Sequence, residues 1–115
     1  MSDIRRLTNL IVKFREARDW KQFHNPKDAA ISLALEAAEV LEHFQWKKPE
    51  EIQEYLKDQK EEVGDELADV LYWILLMCHD MDINLVDAFE KKLKKSEEKY
   101  PVEKARGSAK KYSEL

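Results

Sequence analysis

Ile31-Ser32-Leu33-Ala34-Leu35-Glu36-Ala37-Ala38-Glu39-Val40-Leu41 and Val63-Gly64-Asp65-Glu66-Leu67-Ala68-Asp69-Val70-Leu71 are two apolar stretches, each carrying a pair of acids at a three-residue step. That step puts both carboxylates of a pair on one face of a helix. Carboxylates set among apolar neighbours are partly desolvated, and four of them facing one another repel unless cations or protons neutralise them. A divalent metal is the simplest neutraliser. All four candidates are hard oxygen donors, and no Glu-x-x-His step completes either pair, so the carboxylate-histidine di-iron pattern is not met. Magnesium, with manganese as a substitute, fits better. Magnesium is usually held by a few carboxylates together with substrate phosphates, which makes a phosphate-bearing ligand the natural partner of the cluster. His43, one turn beyond Glu39, is a softer candidate ligand but reads as a helix-surface histidine. Ordinary surface charge is the other reading of the pairs in a chain with 24 acidic residues; the apolar neighbours and the duplication weigh against it.

A chain of 115 residues makes one domain, able to bury about two thirds of its unfolded surface without staples. Cys78 is the sole cysteine and lies inside an apolar run, which predicts a buried inert thiol and a reducing compartment. The start of the chain does not read as a signal peptide, and the longest apolar run, Val70 to Cys78, is too short to span a bilayer. A cytoplasmic protein with no membrane partner is expected. The net charge of -4 argues against a nucleic-acid polymer as partner, although basic residues cluster from Lys91 onward.

With two glycines and three prolines, periodicity predicts helices throughout. The first runs from a Ser2 cap to Trp20, with Ile4, Leu7, Ile11 and Phe14 on its inner stripe. Asn25-Pro26 starts the second, which carries the first acidic pair and ends near Trp46. A short exposed helix over residues 49 to 57 and a long one from Gln59 to Met81 follow, with a break expected near Lys57-Asp58. Gly64 inside the long helix marks close packing, a bend, or nothing. Asn84 caps a fourth helix reaching Lys99 and stopped by Pro101, which leaves 1–101 as the helical domain. Residues 102–115 form a basic tail that needs something to dock on. The long helix is apolar on every side between Val70 and Cys78, so a subunit interface is predicted. The expected fold is an all-α, antiparallel four-helix-type bundle completed by homo-oligomerisation.

Trp20, Phe23, His24 and Trp46 bracket the first acidic helix, and Trp73 lies one turn after Asp69 on the same face. Rings beside a metal-phosphate site can hold a nucleobase by stacking; core packing is their other reading.

At this point the order of motifs resembles a known family. Arg18-Asp19-Trp20-Lys21-Gln22-Phe23-His24-Asn25-Pro26-Lys27, Glu36-Ala-Ala-Glu39-Val-Leu-Glu42, Phe44-Gln45-Trp46, Glu66-Leu-Ala-Asp69-Val-Leu, Lys99-Tyr100-Pro101 and Ala105-Arg106-Gly107, with the closing Lys111-Tyr112-Ser113-Glu114-Leu115, resemble the MazG-type nucleotide pyrophosphohydrolases. The similar branch is the one that contains dCTP pyrophosphatase. The resemblance implies a homodimer or homotetramer that hydrolyses nucleoside triphosphates to monophosphate and pyrophosphate with Mg2+. It also implies Glu36, Glu39, Glu66 and Asp69 as metal ligands and catalytic carboxylates. Trp20, Trp46 and Trp73 fall at base-pocket positions, with His24 beside them. Lys92 falls at a phosphate-binding position of the fourth helix; Ser96, Tyr100, Arg106, Lys110 and Lys111 complete the substrate-binding set. A triphosphate carries more charge than one metal cancels, which is the physical need for these cations. The chain departs from the animal dCTP enzymes, which carry histidine where it has Ile11, tyrosine where it has Trp73, and aspartate and asparagine where it has Lys94 and Ser96. Such changes shift or broaden base preference among dCTP, its modified forms, dATP and other triphosphates.

The chemistry that fits is in-line attack of water on a phosphorus of the triphosphate, with one cluster carboxylate taking the proton. No Ser-His-Asp or Cys-His set offers a covalent route. Two rivals remain from the residues: a helical adaptor that binds a partner helix, and a metal-binding bundle without turnover.

Overall fold

The structure is a computed structural model and describes residues 2–115. In these described residues five α-helices and two short 3-10 turns follow one another: α1 (Asp3–Ala17), a turn at Lys21–Phe23, α2 (Pro26–Glu42), α3 (Pro49–Asp80), α4 (Leu85–Lys99), α5 (Val102–Ala105) and a closing turn at Tyr112–Glu114. Among the described residues there is no strand, so the all-α expectation holds. Among the described residues no helix is long and apolar enough to cross a membrane.

The helix starts follow the caps. The Arg5 amide donates to Ser2 Oγ at 3.2 Å and the Asp28 amide to Asn25 Oδ1 at 2.9 Å, and Pro26 and Pro49 occupy first-turn positions where a missing N–H costs nothing. Two boundaries differ from the periodicity reading. Helix α1 stops at Ala17 rather than Trp20, because Asp19 turns into the left-handed region at φ 54°, a conformation that aspartate tolerates through local hydrogen bonds. Its carboxylate accepts one from Gln22 Nε2 at 3.0 Å. The break expected near Lys57-Asp58 is absent, and α3 is one helix of 32 residues. Residues 50–62 contain neither glycine nor proline and consist mostly of Glu, Gln, Lys and Leu, so nothing in them halts propagation.

The chain divides into two compact units, one ending at Asp82 and the other spanning Ile83–Leu115. In the first, α3 packs against both α2 and α1. Residues 36 and 69, 43 and 66, and 44 and 55 meet across α2, its following turn and α3, so these two helices run antiparallel. Leu75 and Leu76 are 2% and 1% exposed, and Val63 and Ala29 are also buried. Each leucine so enclosed contributes about 1.5–3 kcal/mol. Apolar side chains beside this core remain exposed: Leu67 and Leu71 of α3, and Ile31, Leu35 and Leu41 of α2. Gly64 is exposed and a Cβ there would meet nothing within 4 Å, so no packing inside the chain requires it.

In the second unit Asn84 caps α4 by accepting from the Asp87 amide at 3.1 Å, and Lys99 ends it before Pro101. The segment 102–115 is not featureless. Tyr112 stands edge-on to Tyr100 with ring centroids 6.1 Å apart, and Lys99 Nζ lies 4.8 Å from the Tyr112 ring centre.

Candidate active site

Helix α2 presents Glu36 and Glu39 one turn apart, and α3 presents Asp69 opposite them. One oxygen from each lies within 4.8 Å of the other two. Three carboxylates this close cannot all hold full charge at ordinary cost. Burial, first, and then a hydrogen bond with Glu39 and the charges of Glu39, Asp69 and Glu66 push the Glu36 carboxyl above its usual range. Glu36 Oε2 is buried with no hydrogen-bond partner, an unsatisfied acceptor of the kind a cation would satisfy. The donor set is all oxygen. It therefore fits a hard divalent cation better than a thiophilic one.

Glu66 is one turn before Asp69 on α3 but is not part of that three-oxygen set. Its Oε2 meets His43 Nε2, and His43 Nδ1 meets the Tyr55 hydroxyl. The His43 side chain is 10% exposed, so the helix-surface reading of this residue is overturned. It lies just past the end of α2, where the chain turns toward α3 and encloses it.

Glu36 and Asp69 also form the polar part of the wall of a cavity of about 510 Å3, otherwise lined by Leu10, Ile11, Phe14, Trp20, Tyr72 and Trp73. Small-molecule sites have this size and this mixture of apolar wall with a few converging polar groups. Trp20 stands edge-on to Phe14 at 5.7 Å, Tyr72 edge-on to Trp73 at 5.2 Å, and Arg18 stacks over the Phe14 ring at 3.8 Å.

His24 lies behind this wall, edge-on to Trp73 at 5.2 Å. Its Nδ1 is 3.4 Å from Arg15 Nη1; a guanidinium only donates, so Nδ1 accepts and the ring proton sits on Nε2. Burial, and then the Arg15 charge, pull its pKa below the usual histidine value. Arg15 is 1% exposed and donates two hydrogen bonds of 2.7 Å to Asp80. The hydrogen bond from Arg15 holds Asp80 below the ordinary carboxylate range, and Asp80 raises the arginine in turn.

Of the predicted residues, the first unit thus brings together Glu36, Glu39, Asp69, Trp20 and Trp73, with His24 against Trp73 and Glu66 on the next turn. Trp46 is not among them: it is 86% exposed in the turn after α2. Lys92, Ser96, Tyr100, Arg106, Lys110 and Lys111 belong to the second unit. There Ser96 Oγ donates to the Lys92 carbonyl at 3.1 Å, and the Lys110 amide donates to Ser108 Oγ at 3.2 Å. The sequence reading missed Arg15, Asp80, Tyr55, and the apolar wall residues Leu10 and Tyr72.

The family model described as the MazG-like family matches residues 31–115. The dCTP pyrophosphatase 1 of Mus musculus is 35% identical over 117 residues, spanning 100% of this chain and 67% of the relative. That of Homo sapiens is 34% identical over the same shares. Among solved structures, a pyrophosphatase from Archaeoglobus fulgidus DSM 4304 superposes with a TM-score of 0.82 at 39% identity, covering 88% of this chain and 94% of that one. The acidic pairs of α2 and α3 all fall within the matched residues, and the chain belongs to the MazG-like family.

Proposed function

We propose that this protein is a Mg2+-dependent nucleoside triphosphate pyrophosphohydrolase, acting in the cytoplasm as a homodimer or homotetramer, that releases nucleoside monophosphate and pyrophosphate. The observation that carries the reading is the convergence of Glu36, Glu39 and Asp69 within 4.8 Å at the wall of an aromatic-lined cavity. The pyrophosphatase names of the relatives and of the similar structure support the reaction class. The exposed apolar faces of α2 and α3 support assembly, since contiguous apolar surface marks contact sites.

Glu36, Glu39 and Asp69 would hold the cation, with Glu66 beside them. When bound, magnesium supplies Lewis acidity, neutralising phosphate oxygens and acidifying a water. Trp20 and Trp73 present ring faces and edges to a nucleobase, and Ile11, Leu10 and Phe14 exclude water around it. A carboxylate of the cluster accepts the proton of the attacking water, the scissile P–O bond of the triphosphate chain breaks, and the leaving oxygen departs with pyrophosphate or monophosphate. Lys92, Arg106, Lys110 and Lys111, with Ser96, Tyr100 and Trp46, form the remaining substrate-binding set, a reading carried by the family motifs. Residues 1–101 form the helical catalytic domain in this reading, and residues 102–115 bring basic charge to the phosphates.

The test is turnover of a panel of ribo-, deoxyribo- and base-modified triphosphates with magnesium, products separated by chromatography, for the native chain and Glu39→Gln. Monophosphate plus pyrophosphate from the native chain and none from the variant is the expected result. A folded, oligomeric preparation that turns over no triphosphate would refute it and leave a non-catalytic adaptor or metal-binding bundle.

A further inference from the structure

We infer that His43 is the positioning residue of Glu66 and that Tyr55 fixes the His43 ring for that task, an inference that rests on the metal-dependent reading above. His43 Nε2 and Glu66 Oε2 are in close contact, yet neither atom has a hydrogen-bond partner in this geometry; a carboxylate only accepts, so a hydrogen bond made by a small turn of the ring takes its hydrogen from the histidine. On the other side of the ring Nδ1 meets the Tyr55 hydroxyl. The Tyr55 hydroxyl holds one side of the ring and leaves the other side, Nε2, against the Glu66 carboxylate. Tyr55 is itself held: its ring is tilted against His43 at 5.7 Å, stands edge-on to Phe44 at 6.2 Å and lies under Lys47 Nζ at 3.9 Å. His43, just past α2, thereby meets one oxygen of the carboxylate, and Tyr55, in the first half of α3, holds the ring that meets it.

The consequence is a division among the four acids. Glu36, Glu39 and Asp69 approach one another closely, whereas Glu66 has Oε2 committed to His43 and keeps Oε1 for a cation or for the proton of a water. An ungripped glutamate has three rotatable bonds to settle on binding; His43 settles them in advance, which is how groups behind metal ligands raise affinity. Family motifs name Glu66 but not His43 or Tyr55, so the grip is read from this chain's own contacts.

Three variants test it: His43→Leu removes the donor at nearly constant volume, His43→Gln keeps an N–H donor, and Tyr55→Phe removes only the hydroxyl. Mn2+ binding without nucleotide, followed by the free-ion paramagnetic signal, is measured beside kcat and KM for the best triphosphate and thermal melts without metal. His43→Leu should raise the Mn2+ Kd by about 10-fold to 100-fold. It should leave the metal-free melt close to native and KM at saturating metal little changed, with His43→Gln recovering part of the affinity and Tyr55→Phe losing less than His43→Leu. A His43→Leu protein that binds Mn2+ as tightly as the native chain overturns the inference and leaves the hydrolase reading standing. If the native chain binds no Mn2+ and turns over no triphosphate, the hydrolase reading fails and the inference falls with it. Should His43→Leu not fold, unchanged Mn2+ affinity in Tyr55→Phe and loss in His43→Gln equal to that of a Glu66→Gln control overturn the grip by themselves.

Discussion

Removing Asp80 should cost more stability than removing Arg15, although the two share one ion pair. Arg15 is 1% exposed and Asp80 is 25% exposed by side chain, joined by two hydrogen bonds of 2.7 Å. In Asp80→Ala the guanidinium stays buried without a counter-charge, a situation that costs about 3–5 kcal/mol in enclosed pairs. The partial exposure of this site puts the figure at the lower end, about 3 kcal/mol. In Arg15→Met the reverse holds. A side chain of similar length fills the space, and the quarter-exposed carboxylate rehydrates, so the loss is about 1 kcal/mol. An unfolding entropy of about 2.1 cal/mol/K per residue makes 1 kcal/mol worth about 4 °C in a domain of this length. The expected Tm drops are thus about 12 °C for Asp80→Ala and about 4 °C for Arg15→Met, with the double variant close to Arg15→Met. Melts are compared at pH 7 and one protein concentration, because assembly makes Tm concentration-dependent. The pH dependence has a definite sign. Asp80 has its folded pKa lowered from 3.8, so its stabilisation is complete above that value and disappears as pH falls through the lower folded pKa. Equal Tm drops, or a larger one for Arg15→Met, would refute the account of Arg15 as a buried charge dependent on its partner.

Four further outcomes are expected. Trp73→Ala should raise KM for the preferred triphosphate by about 5-fold to 100-fold, the range of one lost base stack, in steady-state assays; an unchanged KM would take Trp73 out of the base site. Glu36 has its pKa raised from 4.5 by burial and neighbouring acids, so its ionisation opposes folding above that pH and does not below it. Glu36→Gln should therefore melt higher than the native chain at pH 8 without metal, and the gain should vanish near pH 4. Adding millimolar magnesium should raise the native Tm and leave that of Glu39→Gln unmoved, since only native-state binding stabilises. Gly64→Ala should raise Tm by about 2–4 °C, because helix-interior glycine costs about 0.5–1 kcal/mol and the added Cβ meets nothing, whereas Gly107→Ala, at φ 73°, should lower it.

What the sequence made legible here was local, and what it concealed was the company each residue keeps. Caps, prolines and the two acidic steps act within one turn of helix, so Ser2, Asn25, Pro26, Asn84 and the pairs at 36/39 and 66/69 could be read from spacing alone. The end of α1 could not, because it depends on one aspartate adopting a left-handed turn. Arg15 shows the same limit in another form. It lies four residues after Ile11 and so continues the inner stripe of α1, which was a signal that a charge would be buried. Its partner, Asp80, is 65 residues away, and no spacing rule reaches that far. His43 shows the opposite case: one turn beyond Glu39, it reads in the sequence as a surface residue, since a histidine at a helix end is usually solvated. The turn that follows α2 reverses its surroundings by folding Tyr55 and Glu66 of α3 over it. Spacing singled out the four acids and the resemblance pointed to the same ones, but it is the antiparallel return of α3 along α2 that divides them, setting three against one another and placing the fourth against a histidine. Chemistry-bearing residues are therefore visible in this chain one at a time, and their division of labour becomes visible only once α2 and α3 are paired.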